Sequence, residues 1–211
     1  MSLLTTARFE ITVAALNQLP GDPMPEVAFV GRSNAGKSSA INVLCNRKRL
    51  AFASRTPGRT QALNLFGVGP PDQTLARLVD TPGYGYAAAP LETKRQWDQL
   101  AGEYLVRRAQ LLGVVLLADI RRQLTDLDRQ LIAWVPAQVP LVVVLTKSDK
   151  LSRQQGTSAL RAVRAELARL RPQAIDEVRM FSALNRSGRD ELVAHIERWL
   201  KPAPSADTVS A

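Results

Sequence analysis

Nothing constrains the fold of this chain as tightly as Gly31-Arg32-Ser33-Asn34-Ala35-Gly36-Lys37-Ser38-Ser39, which follows the apolar run Val27 to Val30 and precedes a helix-compatible segment. A strand, a loop of the form GxxxxGKS and a helix together make a phosphate-binding unit. Glycine lets backbone N–H groups wrap the phosphates, Lys37 reaches the β- and γ-phosphates, and the Ser38 hydroxyl ligates Mg²⁺.

A second constraint is Leu75-Ala76-Arg77-Leu78-Val79-Asp80-Thr81-Pro82-Gly83, an extended apolar run ending in Asp-x-x-Gly. Nucleotide hydrolases place their magnesium carboxylate there. Mg²⁺ takes few protein ligands and keeps several waters, so Ser38, Asp80, phosphate oxygens and water suffice. Gly83 would bring a backbone N–H to the γ-phosphate with no side chain in the way. Taken alone, Asp80 reads equally well as a strand-ending turn residue.

The base is set by a third run, Leu141 to Leu145, leading into Thr146-Lys147-Ser148-Asp149. A carboxylate only accepts hydrogen bonds, so Asp149 calls for two donors. Guanine offers N1–H and N2–H, whereas adenine has an acceptor at N1 and no amine at C2. The Lys147 stem would lie over the base plane. Phe181-Ser182-Ala183, after the β-like Val178 to Phe181, would touch the guanine carbonyl through backbone. The series predicts GTP and GDP as ligands.

With these motifs in place the chain resembles the EngB family (also called YihA or YsxC) of bacterial ribosome-biogenesis GTPases, within the Era-like group. The resemblance rests on GRSNAGKSS at 31–39, TPGRTQALNLF at 56–66, DTPGYGYA at 80–87, TKSD at 146–149 and FSA at 181–183, and it covers about residues 8–200. It implies a nucleotide site built from residues 31–39, from Gly58, Arg59, Thr60, Gln61 and Ala62, from Asp80, Thr81, Pro82 and Gly83, and from the 146–149 and 181–183 motifs. Local pattern allows Thr56 or Thr60 as the switch threonine that adds a Mg²⁺ ligand and a γ-phosphate contact. The resemblance favours Thr60, which makes Ser38, Thr60 and Asp80 the expected metal ligands. It also implies the large ribosomal subunit or its precursor, and its rRNA, as partner, with a consequent requirement in cell division and septation.

After Gly83 the pattern departs from Ras-like enzymes, because Tyr84 stands where they carry a water-orienting glutamine. A phenol with pKa of about 10 stays neutral at pH 7 and does no more than hydrogen-bond water, so Tyr84 reads as structural or partner-facing. Slow intrinsic hydrolysis is expected, resting on Lys37, Thr60, Gly83 and Mg²⁺. Asn34 has two readings. Its side-chain carbonyl would help hold a monovalent cation such as K⁺ against the phosphates, or it merely stabilises the loop. Arg59 is a weaker candidate for a charge supplied in cis.

A chain of 211 residues with 45% hydrophobic content suits one domain with a sizeable core. Formal net charge +9 and pI ≈ 10.4 point to a polyanionic partner. Arg47-Lys48-Arg49, Lys94-Arg95, Arg107-Arg108 and Arg121-Arg122 resemble phosphate contacts without interleaved aromatics, which favours folded RNA over single strands. No apolar run approaches the roughly 18 residues of a membrane span, and no signal-peptide order opens the chain, so a cytoplasmic and monomeric protein is expected. The single Cys45 reads as a small core residue, His195 as a surface or packing residue, and Trp97, Trp134 and Trp199 as core anchors.

Periodicity predicts strands at Val27 to Gly31, Gln61 to Val68, Leu75 to Asp80, Gly113 to Asp119, Leu141 to Thr146 and Val178 to Phe181. Helices are expected from Lys37, after Pro90, and over Leu124 to Trp134, Ser158 to Leu170 and Gly188 to Leu200. In the fourth of these, Leu160, Val163, Leu167 and Leu170 would face inward, with Arg161, Arg164 and Arg171 outward. The expected fold is α/β, a doubly wound, mostly parallel sheet of about six strands, with nucleotide at the carboxyl ends of the strands. Residues 1–25 form an N-terminal segment able to add an edge strand, 26–201 the nucleotide domain, and 202–211 a disordered tail. Two other functions remain open: a GTP-gated RNA-binding module with incidental hydrolysis, and, opposed by Asp149, a P-loop ATPase or kinase.

Overall fold

The computed structural model describes residues 2–52, 62–85 and 98–200. Its core is a sheet of seven strands: β1 (Arg8–Val13), β2 (Glu26–Gly31), β3 (Leu63–Val68), β4 (Ala76–Asp80), β5 (Leu111–Asp119), β6 (Leu141–Thr146) and β7 (Glu177–Met180). In space they run β1-β3-β4-β2-β5-β6-β7. The five strands from β4 to β7 are mutually parallel, and β3 alone runs against its neighbours β1 and β4. The seventh strand, against about six expected, is β1. It comes from the N-terminal segment and pairs with β3 at the sheet edge.

Every residue of β2 and β6 is buried. A central parallel strand covered on both faces needs an unbroken apolar run, and alternate side chains feed opposite faces. Ala28, Val30, Leu116 and Val143 point to one layer, closed by α2 (Glu103–Arg107), α3 (Asp126–Trp134) and α4 (Arg153–Leu170). Val27, Phe29, Val115 and Val142 point to the other, closed by α1 (Lys37–Leu44) and α5 (Arg189–Leu200).

Several expectations are corrected. Helix α3 starts at Asp126 rather than Leu124, because Thr125 caps it and Asp128 closes a capping box. Helix α4 starts at Arg153 rather than Ser158, since Ser152 and Gln155 form the same device. Leu170 is exposed, and Arg171 is buried rather than outward. The helix ends at Leu170 and Arg171 leaves the helical conformation, so the periodicity that turned Arg171 outward no longer applies to it. The Arg171 guanidinium pairs with Asp176 at 2.6 Å and donates to the Val139 carbonyl at 2.8 Å. Trp134 and Trp199 only flank the core, half-buried against it. Trp199 lies over Gly113, where an added Cβ would stand 2.3 Å from its ring, and stacks edge-on with the buried His195. Cys45 is fully buried just beyond α1, and burial pushes its thiol up to about 12. The described part of the helix expected after Pro90 runs helically from Asp98 through α2, with Leu100, Ala101, Tyr104 and Leu105 buried, whereas its start, Trp97 and the tail at 202–211 lie outside the described residues.

Candidate functional site

The carboxyl ends of β2, β4, β5 and β6 bring Gly31, Asp80, Asp119 and Thr146 to one edge of the sheet. There the chain leaves β2 into a tight loop before α1. Gly31 sits so close to β5 that a Cβ would stand 2.6 Å from the Leu117 carbonyl oxygen. Asn34 (φ 65°) and Gly36 (φ 94°) take left-handed backbone, which glycine and asparagine tolerate best. Successive N–H groups of such a loop, followed by a helix start, form a cradle for anionic oxygens. Asn34 is exposed, and its side chain makes no hydrogen bond with described residues.

Lys37 opens α1 and forms an ion pair with Asp80, both side chains largely enclosed. Asp80 is the last residue of β4 and lies level with Phe29 of β2. The next residue, Thr81, is hooked to the Phe29 carbonyl by its N–H at 3.1 Å and its hydroxyl at 3.0 Å. Gly83 is exposed beside Ser33, where a Cβ would approach the serine Cα to 3.2 Å. A hydroxyl at Ser38 and a carboxylate at Asp80 are hard oxygen donors suited to Mg²⁺, and Lys37 beside them is a movable cation for phosphate. The residues present therefore fit a magnesium nucleotide. Thr60, Gly58, Arg59 and Gln61 fall outside the described residues, and Ala62 is buried where the structure resumes.

At the other end of the loop Thr146 donates its hydroxyl to the Ala35 carbonyl at 2.6 Å. Lys147, in left-handed backbone (φ 58°), donates to the Asn34 carbonyl at 2.8 Å and lies 3.0 Å from Asp119. Asp119 also clamps Arg121 at 2.6 Å. Arg121 first, then Lys147, hold its carboxyl well below the ordinary range. This support for Lys147 escaped the sequence reading, whose only available signal was an aspartate closing an aliphatic strand. The Ser148 N–H reaches the Phe181 carbonyl at 3.1 Å. Ser182, whose backbone is expected at the guanine carbonyl, also donates its hydroxyl to Asp149 at 2.5 Å and thereby lowers the pKa of that carboxyl. Each carboxylate oxygen carries two lone pairs, so Asp149 retains acceptor capacity for a pair of donors.

Tyr84 is buried, with its hydroxyl on Asp128 of α3, so it is not an exposed group beside the phosphates. The basic clusters divide. Arg47, Lys48 and Arg49 are exposed and form no ion pair with described residues, whereas Arg108 is bound to the buried Glu26 at 2.6 Å and Arg121 to Asp119. Arg108 is thus an internal charge rather than a phosphate contact. Lys94 and Arg95 lie outside the described residues.

Residues 26–147 match the family described as 50S ribosome-binding GTPase. The chain is 54% identical over 205 residues to the probable GTP-binding protein EngB of Burkholderia ambifaria, covering 95% of this chain and 94% of that one. The chain belongs to the EngB family. As an EngB-family member it is a P-loop GTPase that binds GTP and GDP. Its fold is shared with a solved probable GTP-binding protein engB at TM-score 0.58 and 18% identity, covering 83% of this chain and 98% of that one. It is shared also with Era solved in complex with MgGDPNP and nucleotides of 16S ribosomal RNA, at TM-score 0.64 and 23% identity, covering 86% of this chain and 58% of that one. Among the described residues no helix is long and apolar enough to cross a membrane.

Proposed function

We propose that this EngB-family GTPase is a slow, GTP-operated switch in assembly of the large ribosomal subunit, acting as a cytoplasmic monomer, with cell division and septation depending on it indirectly. Residues 26–201 form the nucleotide domain. The observation that carries the guanine reading is the shared brace at the base end. Lys147 is tied to the Asn34 carbonyl and Asp119, and Asp149 is oriented by the Ser182 hydroxyl, whose hydrogen bond lowers the pKa of its carboxyl. The backbone of residues 31–39 holds the phosphates, and Gly83 offers its N–H to the γ-phosphate. Thr81 and Pro82 shape that approach, and the backbone at Phe181, Ser182 and Ala183 closes over the base.

Ser38, Asp80 and Thr60 would hold Mg²⁺, which supplies positive charge across the β- and γ-oxygens. For that, Lys37 leaves Asp80 and moves to the phosphates, exchanging one carboxylate for several phosphate oxygens. Lys37, Thr60 and Gly83 carry what catalysis the chain provides. Tyr84 offers no base, so hydrolysis is slow unless further charge arrives. Asn34, whose exposed side chain makes no hydrogen bond with described residues, supports recruitment of K⁺ as that charge.

The partner reading rests on basic groups left free of carboxylates. Beyond Arg47, Lys48 and Arg49, helix α4 exposes Arg153, Arg161 and Arg164, which form no ion pair with described residues. At 100° per residue these three fall within an arc of about 80°, with Thr157 on the same face. Arginine and hydroxyl side chains are the groups that contact nucleic-acid phosphates. The description of the matching family, 50S ribosome-binding GTPase, favours rRNA of the large subunit. Co-sedimentation with purified large subunits in GTP analogue and in GDP tests the switch: stronger binding with the analogue is expected, and identical binding in both states would remove it.

A further inference from the structure

Tyr84 follows Gly83 directly, and its backbone is stitched to the phosphate loop on both sides. Its carbonyl accepts the Ser33 N–H at 2.8 Å, and its N–H reaches the Gly31 carbonyl at 3.4 Å. Its ring is 7% exposed, and its hydroxyl donates to Asp128 Oδ1 at 2.5 Å. Asp128 is itself 1% exposed. Its second oxygen accepts the Thr125 N–H and hydroxyl, both at 2.7 Å, which fixes the first turn of α3. The same corner is closed from the other side. Gly85 has φ 72°, a Cβ there would stand 2.8 Å from Arg32 Nε and 3.0 Å from Leu127 of α3, and Arg32 Nη2 donates to the Gly85 carbonyl at 3.3 Å.

We infer that the Tyr84–Asp128 hydrogen bond is a latch that holds the 80–85 loop on the phosphate loop, making Tyr84 and Asp128 positioning residues for recognition of the γ-phosphate. The inference rests on the reading of Gly83 as the γ-phosphate contact. Asp128 belongs to a capped helix packed on the sheet, so it is a fixed anchor, whereas Gly83 and Gly85 beside Tyr84 leave the loop backbone free to swing. Burial and the adjacent Asp128 raise the Tyr84 pKa well above 10, so the hydroxyl keeps the proton it donates across the working pH range. GDP has no γ-phosphate and does not draw on the latch. GTP does, because an unlatched loop presents the Gly83 N–H for only a fraction of the time, and apparent affinity falls by that fraction.

Tyr84→Phe keeps the ring and removes only the hydroxyl. In fluorescence competition, GDP affinity should stay within about twofold while affinity for the β,γ-imido GTP analogue drops roughly tenfold, as when the latched fraction falls to a tenth. Asp128→Ala, which removes the acceptor along with the α3 cap, should give the same split. The double variant should show no larger a split between GDP and the analogue than the single variants, because both changes remove the same Tyr84–Asp128 bond. Equal weakening of both nucleotides, an unchanged ratio, or additive losses in the double variant would overturn the latch. On the unaltered protein, the Ser33 and Tyr84 amides should exchange with deuterium more slowly in the analogue complex than in the GDP complex, and equal protection would also overturn it. Unaltered GDP affinity in Asp149→Asn would instead remove the nucleotide reading and the latch with it, so the two failures are distinguishable.

Discussion

In the proposed base pocket Asp149 is aimed by its neighbours: the Ser182 hydroxyl donates to Oδ1 at 2.5 Å and lowers its pKa, while Lys150 stands 3.5 Å from Oδ2. Asp149→Asn replaces an acceptor by a donor opposite guanine donors. GDP and GTP affinities should both fall by roughly tenfold or more, measured by fluorescence titration. Asn34 was legible as a loop residue but not in its conformation. Its backbone is left-handed and its side chain is exposed, with no hydrogen bond to described residues, so the salt dependence of hydrolysis is what separates the two readings made from sequence. Hydrolysis should run faster in K⁺ than in Na⁺ at equal ionic strength, and Asn34→Ala should erase the difference. Equal rates in both salts, free and subunit-bound, would leave Asn34 as a loop residue only. Tyr84 shows the limit of residue-scale reading. Its type excludes a base at pH 7, but the partner that explains it, Asp128, lies 44 positions away in sequence.

Elements were located well by their interiors and less well by their ends. Aliphatic runs identified β2 and β6 because burial on both faces permits little else. The start of α4 was readable as Ser152-x-x-Gln155, a capping box that periodicity alone overlooks. Its far end was not readable. Arg171 continues the helical spacing but turns inward to Asp176, the Val139 carbonyl and the neighbouring Val135 and Pro136 carbonyls. Asp176 in turn accepts the Leu141 N–H at 2.9 Å, so one buried pair ties α4 to the start of β6. Arg171→Leu should therefore cost on the order of 3–5 kcal/mol in urea unfolding, because it leaves the Asp176 charge buried without its partner. A loss under about 1 kcal/mol would show that the pair is not needed to hold α4 in place.

For the whole molecule, the count of 28 Lys and Arg residues overstates the groups available to a polyanion, although pairing inside removes carboxylates as well and leaves the net charge of +9 undiminished. Arg77, Arg108 and Arg171 are consumed internally by Glu10 and Asp22, by Glu26 and by Asp176. The free arginines and lysine at 47–49 and along α4 remain. If six such groups neutralise rRNA phosphates, subunit affinity should fall about 10³-fold between 50 and 200 mM salt, read by co-sedimentation across a salt series. Replacing Arg153, Arg161 and Arg164 together by Gln should weaken binding and flatten that salt slope, while GDP affinity holds. Salt-insensitive binding would count against an electrostatic surface.

Local order along the chain determined the phosphate loop, the parallel sheet and the placing of the Asp80 and Asp149 motifs at strand ends, because each depends on residue type at fixed short spacing. Periodicity also found most helices, since an amphipathic face is a local property. Only tertiary structure decided which charges are spent inside, as with Arg108 on Glu26, and which remain at the surface. It alone brought Asp119 under Lys147, Ser182 onto Asp149 and Tyr84 onto Asp128. Those pairs join residues from different strands and helices, and a hydrogen bond across the fold depends on where the sheet places each strand end rather than on any spacing along the chain.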